Sequence, residues 1–322
     1  MEQAVANLSQ NAEETVKCCS QILHYGEQTQ QEWYLGFAHY YSGEAYYTLN
    51  NVERVLYHIS YALGYLEHTG EWELVARAYN LIAITSVMMG KPAFAMDYYI
   101  QALSCCRKHA LPIFGNTVLI NIGSLYYMYG EYERASTYFI DSLHSLDLNP
   151  QMDDYYLCVA VDYIGLGRCA LHQGDIDQAK YYAQQIEKIC KPHMDISNYI
   201  YLSFIAEIYH DTGNIEARDN CISDIQSNLN EQIRIMDYFD DFYEYASLLL
   251  RIDYHEHFLY LIELLDKLAS QAQVANLRRR IRELKIKYYK KIGDTQAYFR
   301  KRHNSMKIWC VWSAPIRRWY WR

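Results

Sequence analysis

Residues Leu119–Leu143, LINIGSLYYMYGEYERASTYFIDSL, read as two helices packed back to back. Ile122, Gly123, Tyr126, Gly130, Tyr132, Ala135 and Phe139 carry the pattern. The spacing predicts that Gly123 faces Ala135, two small residues that let the helices approach closely. Ile122, Tyr126 and Phe139 then fill the space around that contact. Gly130 closes the first helix, because glycine enters the left-handed region without a steric cost. One helical hairpin cannot bury its apolar face alone, so the stretch calls for neighbours.

Those neighbours are present in both directions. Glu32–Leu49 with Val52–Leu66 precedes it, then Glu71–Met89 with Pro92–Cys106. Asp153–His172 with Ile176–Cys190 follows, then a weaker pair, Tyr199–Asp211 with Ile215–Leu229. Their turn residues Asn50, Gly90, Gly130, Gly174 and Gly213 are 40, 40, 44 and 39 residues apart. Pro92 sits in a first helical turn, where its missing N–H removes no bond. Spacing and small-residue pattern match a tetratricopeptide repeat, whose minimal unit is about 34 residues, with helices longer by about a turn. Asp237–Asp253 with Glu256–Gln271 adds a sixth pair without clear small positions. The expected fold is all-α, a right-handed tetratricopeptide-repeat superhelix (α-solenoid) of about six hairpins. It divides into a capping helix (1–30), the repeat array (31–275), a basic helix with the start of a last hairpin (276–299), and an unstructured basic, Trp-rich tail (300–322).

Composition agrees with long helices. Only five prolines and fourteen glycines occur in 322 residues, and 34 residues are Tyr, a side chain suited to packed helices with wet edges. Nine cysteines show no metal-ligand spacing and read as reduced thiols of a cytoplasmic protein. The first residues are polar and acidic, unlike a secretory signal, and no apolar run approaches a membrane span.

The net charge of −8 hides an asymmetry. Residues 276–322 hold 15 of the 30 basic residues and only two acids, Glu283 and Asp294. The basic helix RRRIRELKIKYYKK reads as the start of a connection to an output domain, with a solvated charged face. Beyond about Phe299 the register stops, and four of the six tryptophans appear among seven basic residues. A shifted or truncated reading frame accounts for that change best; an interfacial anchor or a nucleic-acid arm are the alternatives.

The segments YLGFAHYYSGEAYYTLNN, GEWELVARAYNLIAITSVMMGKPAFAMDYYIQALS, NIGSLYYMYGEYERASTYF and IRIMDYFDDFYEYASLLL resemble the tetratricopeptide sensory region of GGDEF-type diguanylate cyclases of clostridia and related bacteria. The resemblance spans roughly Gln31–Tyr298. It implies an input domain of cyclic-di-GMP signalling. No GGDEF-like or GGEEF-like segment occurs, so it implies no cyclase activity for this chain, which reads as a non-enzyme. Rap-type quorum-sensing regulators, which bind short peptides with similar long-helix repeats, are the second family to consider.

Catalytic constellations are lacking. His255 and His257 alternate by two on a helix and so point apart. Asp237, Asp240 and Asp241 fit an acidic first turn that complements the helix dipole. A groove is a different matter, because first helices of stacked hairpins line the inner surface. Candidate ligand-binding residues there are Tyr47, Arg77, Asn80, Thr117, Asn121, Ser124, Arg168 and His210; Glu44 and Glu207 share the face. Asn80 and Asn121 stand out, since a mid-helix Asn is a poor helix former that offers a donor and an acceptor to a peptide main chain. Arg77 or Arg168 suits a carboxylate. The expected partner is a peptide or protein segment in the groove, with a homodimer as a second option. Nucleic acid is disfavoured by the acidic body, and neither metal nor cofactor is expected.

Overall fold

The computed structural model describes residues 1–7, 11–147, 150–151, 154–193, 199–229, 235–271 and 275–294; side chains at 3, 5, 7, 235–240, 271 and 275 fall outside the description. The register change at 300–322 and the helix expected after Asp294 therefore lie outside it. The described residues are helical, and fifteen helices follow one another. They form two compact units that divide between Ile225 and Gln226.

The first unit opens with α1 (Glu2–Asn7) and α2 (Ala12–Thr29). Here the sequence predicts one helix from about Asn7 to Gln28; instead the chain restarts at Asn11, whose side chain accepts the Glu14 N–H at 3.1 Å. That bond satisfies a donor that a helix start leaves orphaned. Ala4, Cys19 and Ala38 then share a small core under α3.

Five hairpins follow: α3/α4 (Glu32–Thr48, Val52–Thr69), α5/α6 (Trp72–Met88, Pro92–Lys108), α7/α8 (Pro112–Met128, Tyr132–Asp147), α9/α10 (Tyr155–His172, Ile176–Ile189) and α11/α12 (Ile215–Asn228 after Tyr199–Asp211). Every turn residue named from the sequence has positive φ: Asn50, Gly90, Gly130, Gly174 and Gly213. A second series closes the outer helices, with Gln30, Gly70 and Ala110 at φ 54°, 78° and 53°. Asn51, Asp175 and Asn214 cap the helices that follow by accepting the N–H three residues on.

The close approach inside each hairpin is built differently from the expectation. A Cβ on Gly123 would meet the Phe139 ring, not Ala135, with Cε1 at 2.9 Å. Gly165 presses on the same ring from the next hairpin, with Cζ at 2.6 Å. Phe139, 2% exposed, is thus held between two glycines of α7 and α9. Gly43 meets Ile59 in the same relation, and Gly167 meets Phe204. Small residues in first helices make sockets for large residues, rather than pairing with small ones.

The second unit carries α13 (Ile235–Arg251), α14 (His255–Gln271) and α15 (Ala275–Lys291). The basic helix is no bare linker. Leu277, Ile281, Leu284 and Tyr288 are buried. Its charges are engaged too. Arg280 lies 4.3 Å over the Tyr243 ring, Arg278 donates to the carbonyls of Ala269 and Ser270, and Lys285 reaches Asp266 at 2.5 Å. Lys291 contacts Asp253 at 2.6 Å and donates to the Leu250 carbonyl. Two leucines, an isoleucine and a tyrosine at helical spacing make one side apolar, and the surrounding cations close over the ends of α13 and α14.

Candidate functional site

Successive first helices touch one another, α3 to α5, α5 to α7, α7 to α9 and α9 to α11. The first helices therefore form one continuous face. Tyr40, Asn80, Ile120, Ile164 and Ser203 occupy equivalent places on it, each ten residues before its turn residue, and all but Ile120 are buried. Glu44, Ile84, Ser124, Arg168 and Glu207 form a second row, six before the turn. Tyr47, Val87, Tyr127, Leu171 and His210 form a third. The rows change chemistry from one end to the other while the backbone pattern stays constant.

At the α3 end the face is charged. Tyr40 donates its hydroxyl hydrogen to the Glu44 carboxylate. Burial first, and then the Glu44 charge, push that hydroxyl far above the ordinary tyrosine range. Arg77 donates twice to Glu73 Oε1, at 3.0 and 2.8 Å, and lies 4.9 Å over the Phe114 ring. It is therefore a held cation of an i,i+4 pair rather than a loose one. Tyr47 packs against the core of the first two hairpins.

In the middle, Asn121 Nδ2 donates to Asn80 Oδ1 at 2.9 Å, joining α7 to α5. Asn80 is 7% exposed and Asn121 is half-buried. The bond uses one amide hydrogen and one carbonyl. Among the described residues, Asn80 Nδ2 and Asn121 Oδ1 have no partner, so the pair presents one donor and one acceptor side by side. Exchanging oxygen and nitrogen in both amides leaves the same offer. Thr117 and Ser124, half-buried, stand four before and three after Asn121 on α7, and neither hydroxyl makes a hydrogen bond among the described residues.

At the far end Arg168 is 5% exposed, and its Nη2 donates to Ser203 Oγ at 2.9 Å. Ser203 in turn donates to the Ile200 carbonyl. Glu207 is also buried, at 8% exposure, and His210 Nδ1 lies 3.4 Å from Arg218 Nη1. The eight sequence-named residues thus fall into three groups: Tyr47 and Arg77 near α3; Asn80, Asn121, Thr117 and Ser124 in the middle; Arg168 and His210 near α11. In the middle group Asn80 and Asn121 are joined by a hydrogen bond.

Behind this face lies a network that the sequence reading missed. Asn116 Nδ2 donates to Ser142 at Oγ (2.5 Å) and at its carbonyl (3.0 Å), and Ser142 Oγ donates to Asp162 Oδ2 at 2.5 Å. Asn116 and Asp162 are 1% and 0% exposed. Asn116 Oδ1 and Asp162 Oδ1 find no partner among the described residues. Burial holds the Asp162 carboxyl well above the usual carboxylate range, against a weaker opposing pull from Ser142. The signal was legible: Asp162 is an acid inside VAVDYIGL, and a buried acid needs a partner or a proton.

Chemistry beyond binding finds no support. Among the described residues no group of three metal-ligating side chains converges, and no helix is long and apolar enough to cross a membrane. Eight cysteines are free thiols, and burial raises Cys19, Cys158, Cys169 and Cys190 to about 11, far from a reactive thiolate.

Solved structures with the same arrangement exist. BtubC (BKLC) from P. vanneervenii superposes with a TM-score of 0.55 at 16% identity, over 66% of this chain and 89% of that one. The Pseudomonas aeruginosa PilF structure matches with a TM-score of 0.46, also at 16% identity, over 75% of this chain and 96% of that one. Both are helical-repeat proteins of the tetratricopeptide type. The fold is a tetratricopeptide-repeat solenoid. At such identity the likeness extends to the fold alone. No protein-family model matches the chain, and no curated protein does.

Proposed function

We propose that the first unit binds an extended protein or peptide segment along the face made by α3, α5, α7, α9 and α11. The observation that carries this is the Asn80–Asn121 pair. It joins two repeats, and it leaves one amide donor and one carbonyl acceptor beside two unpartnered hydroxyls. That is the complement of a peptide group, which also presents one N–H and one C=O. Main-chain recognition of this kind places a strand in register without dictating its sequence. Side chains of the ligand would then meet Ile84 and Ile120 near the middle, and Glu44 and Arg77 at one end.

Phage display of random heptapeptides on the purified chain, followed by calorimetry of the selected peptides, tests the proposal. Asn80→Ala and Asn121→Ala should each weaken binding by about tenfold, the worth of one hydrogen bond of about 1.4 kcal/mol. Unchanged affinity in both variants refutes it.

The tyrosine-rich resemblance supports a second layer: the array serves as the sensory input of a cyclic-di-GMP signalling protein in the bacterial cytoplasm. The DNA downstream of this reading frame decides that layer. A GGDEF-coding stretch in any frame supports it, and an unrelated neighbouring gene removes it.

A further inference from the structure

The repeat pattern also exposes one place where the first hairpin departs from the others. Eleven residues before and eight after the turn residue, the first, second and fourth hairpins bring two rings together across their helices. In the second hairpin they are Tyr79 and Tyr98, with stacked rings 6.2 Å apart; in the fourth they are Tyr163 and Tyr182, at 5.9 Å. The third has Leu119 and Tyr138. In the first hairpin both places are histidine, His39 and His58, and their Nδ1 atoms lie 3.1 Å apart.

We propose that His39 and His58 form a two-histidine site for a borderline transition-metal ion of the Zn2+, Ni2+ or Cu2+ class. Packing alone does not call for histidine here, since tyrosine and leucine fill the same places in the other hairpins. What histidine adds is a ring nitrogen on each side, and the two share one hydrogen bond whose proton a metal ion would replace. With metal–nitrogen bonds of about 2.0–2.1 Å, a 3.1 Å separation sets a nitrogen–metal–nitrogen angle of about 100°, between square-planar and tetrahedral values.

The surroundings hold that geometry. His39 stacks on Tyr61 at 5.3 Å and on Tyr65 at 6.2 Å, and His58 stacks on Tyr46 at 5.3 Å, so neither ring turns freely. Tyr57 and Tyr61, which pack on these rings, are about half exposed. With no carboxylate supplied, Mg2+ and Ca2+ are excluded.

Isothermal titration of the tag-free, chelator-washed chain with Zn2+, Ni2+, Cu2+ and Mg2+ tests this. The double variant His39→Tyr, His58→Tyr copies the second and fourth hairpins and so keeps the packing; circular dichroism checks that it does. The parent should bind one ion at least tenfold more tightly than the double variant, with Cu2+ tightest, as the general order of divalent ions requires, and Mg2+ not at all. Electron paramagnetic resonance of the Cu2+ complex should show two imidazole nitrogens in the parent and fewer in His39→Gln alone. Equal affinity in parent and double variant overturns the site. So does a Cu2+ spectrum unaltered by His39→Gln, an outcome that counts whether or not the double variant folds.

Discussion

Replacing Gly165 by Ala tests the packing account at its tightest point. Alanine is the better helix former by about 1 kcal/mol, so at an unobstructed mid-helix position the change stabilises. Gly64 is such a position: it is exposed in α4, and a Cβ there meets nothing within 4 Å. At Gly165 the new methyl would stand 2.6, 2.7 and 2.9 Å from three carbons of the Phe139 ring. The ring cannot retreat, because the backbone of Gly123 backs its other side with Cβ-to-ring distances of only 2.9–3.1 Å. Overpacking of this kind costs about 1–3 kcal/mol, which outweighs the gain in propensity. Gly165→Ala should therefore destabilise the first unit by about 1–2 kcal/mol, while Gly64→Ala stabilises it by about 0.5–1 kcal/mol. Urea unfolding followed by circular dichroism, with equal slopes for both variants, gives the two shifts in opposite directions. Adding Phe139→Leu makes the cause explicit, since a smaller side chain vacates the socket and should recover part of the loss. If Gly165→Ala raised the midpoint as Gly64→Ala does, the two-glycine socket would be an incorrect account of this core.

Ala110 holds φ 53° at a position where Gly70 serves the preceding hairpin. Ala110→Gly should stabilise by about 0.5–1 kcal/mol, the cost of left-handed alanine less the extra freedom of unfolded glycine, read from the thermal midpoint. Asp162 has its folded pKa raised, so its contribution is fully present below the unfolded value near 3.8 and is lost as pH rises through the folded one. Asp162→Asn removes that loss, and urea titrations from pH 5 to pH 8 should show the variant gaining on the parent as pH rises; a constant difference would mean that the acid does not titrate in this range. Asn80→Ala and Asn121→Ala should each cost about 1 kcal/mol and the double variant little more, a coupling of about 0.5–1.5 kcal/mol in a double-mutant cycle. Full additivity would mean that the 2.9 Å bond between them contributes nothing.

The fold was legible because its rules are local. Turn glycines at φ above 70° and first-turn prolines mark helix ends whatever surrounds them, and the helix ends follow the pattern to within a few residues for all but α1 and α2. The break before α2 depended on Asn11, whose cap competes with continuing a helix through a polar stretch that offers little apolar surface to bury. Which side chain fills the space beside Gly123 was less accessible. Ala135 and Phe139 lie four residues apart on one face, and only the crossing of the two helices selects the ring. Burial of charge was harder still. Arg168 and Arg280 read as solvent-facing cations, yet both are under 10% exposed, because Ser203 and the Tyr243 ring come from elements distant in sequence. Pairwise long-range partners of this sort leave no period to read.

A repeat array makes its own control, and that decides where function can be sought. A side chain that recurs at the same distance from every turn serves the packing all hairpins share: the left-handed turn residue and the small residue seven positions before it. A position that changes from hairpin to hairpin is released from that duty. The inner rows behave in this way, with Tyr40, Asn80, Ile120, Ile164 and Ser203 doing unlike things on one geometric line. Asn80 is bonded to Asn121 of the next first helix, as Ser203 is to Arg168 of the preceding one, and each bond spans repeats rather than closing one. A bond inside one hairpin would stabilise that hairpin alone. A bond between first helices fixes the spacing of two repeats, and that spacing is what a strand lying across them must match. Asn80 and Asn121 therefore act twice under the proposed function: they set the pitch of the face, and they present the peptide-like donor and acceptor at that pitch. The consequence is measurable. Asn80→Asp with Asn121 intact keeps an acceptor for the link between repeats while removing the outward amide donor, so it should weaken selected peptides about tenfold, in addition to the stability that a carboxyl at a buried position costs. Loss of stability without loss of binding would assign the pair to packing alone.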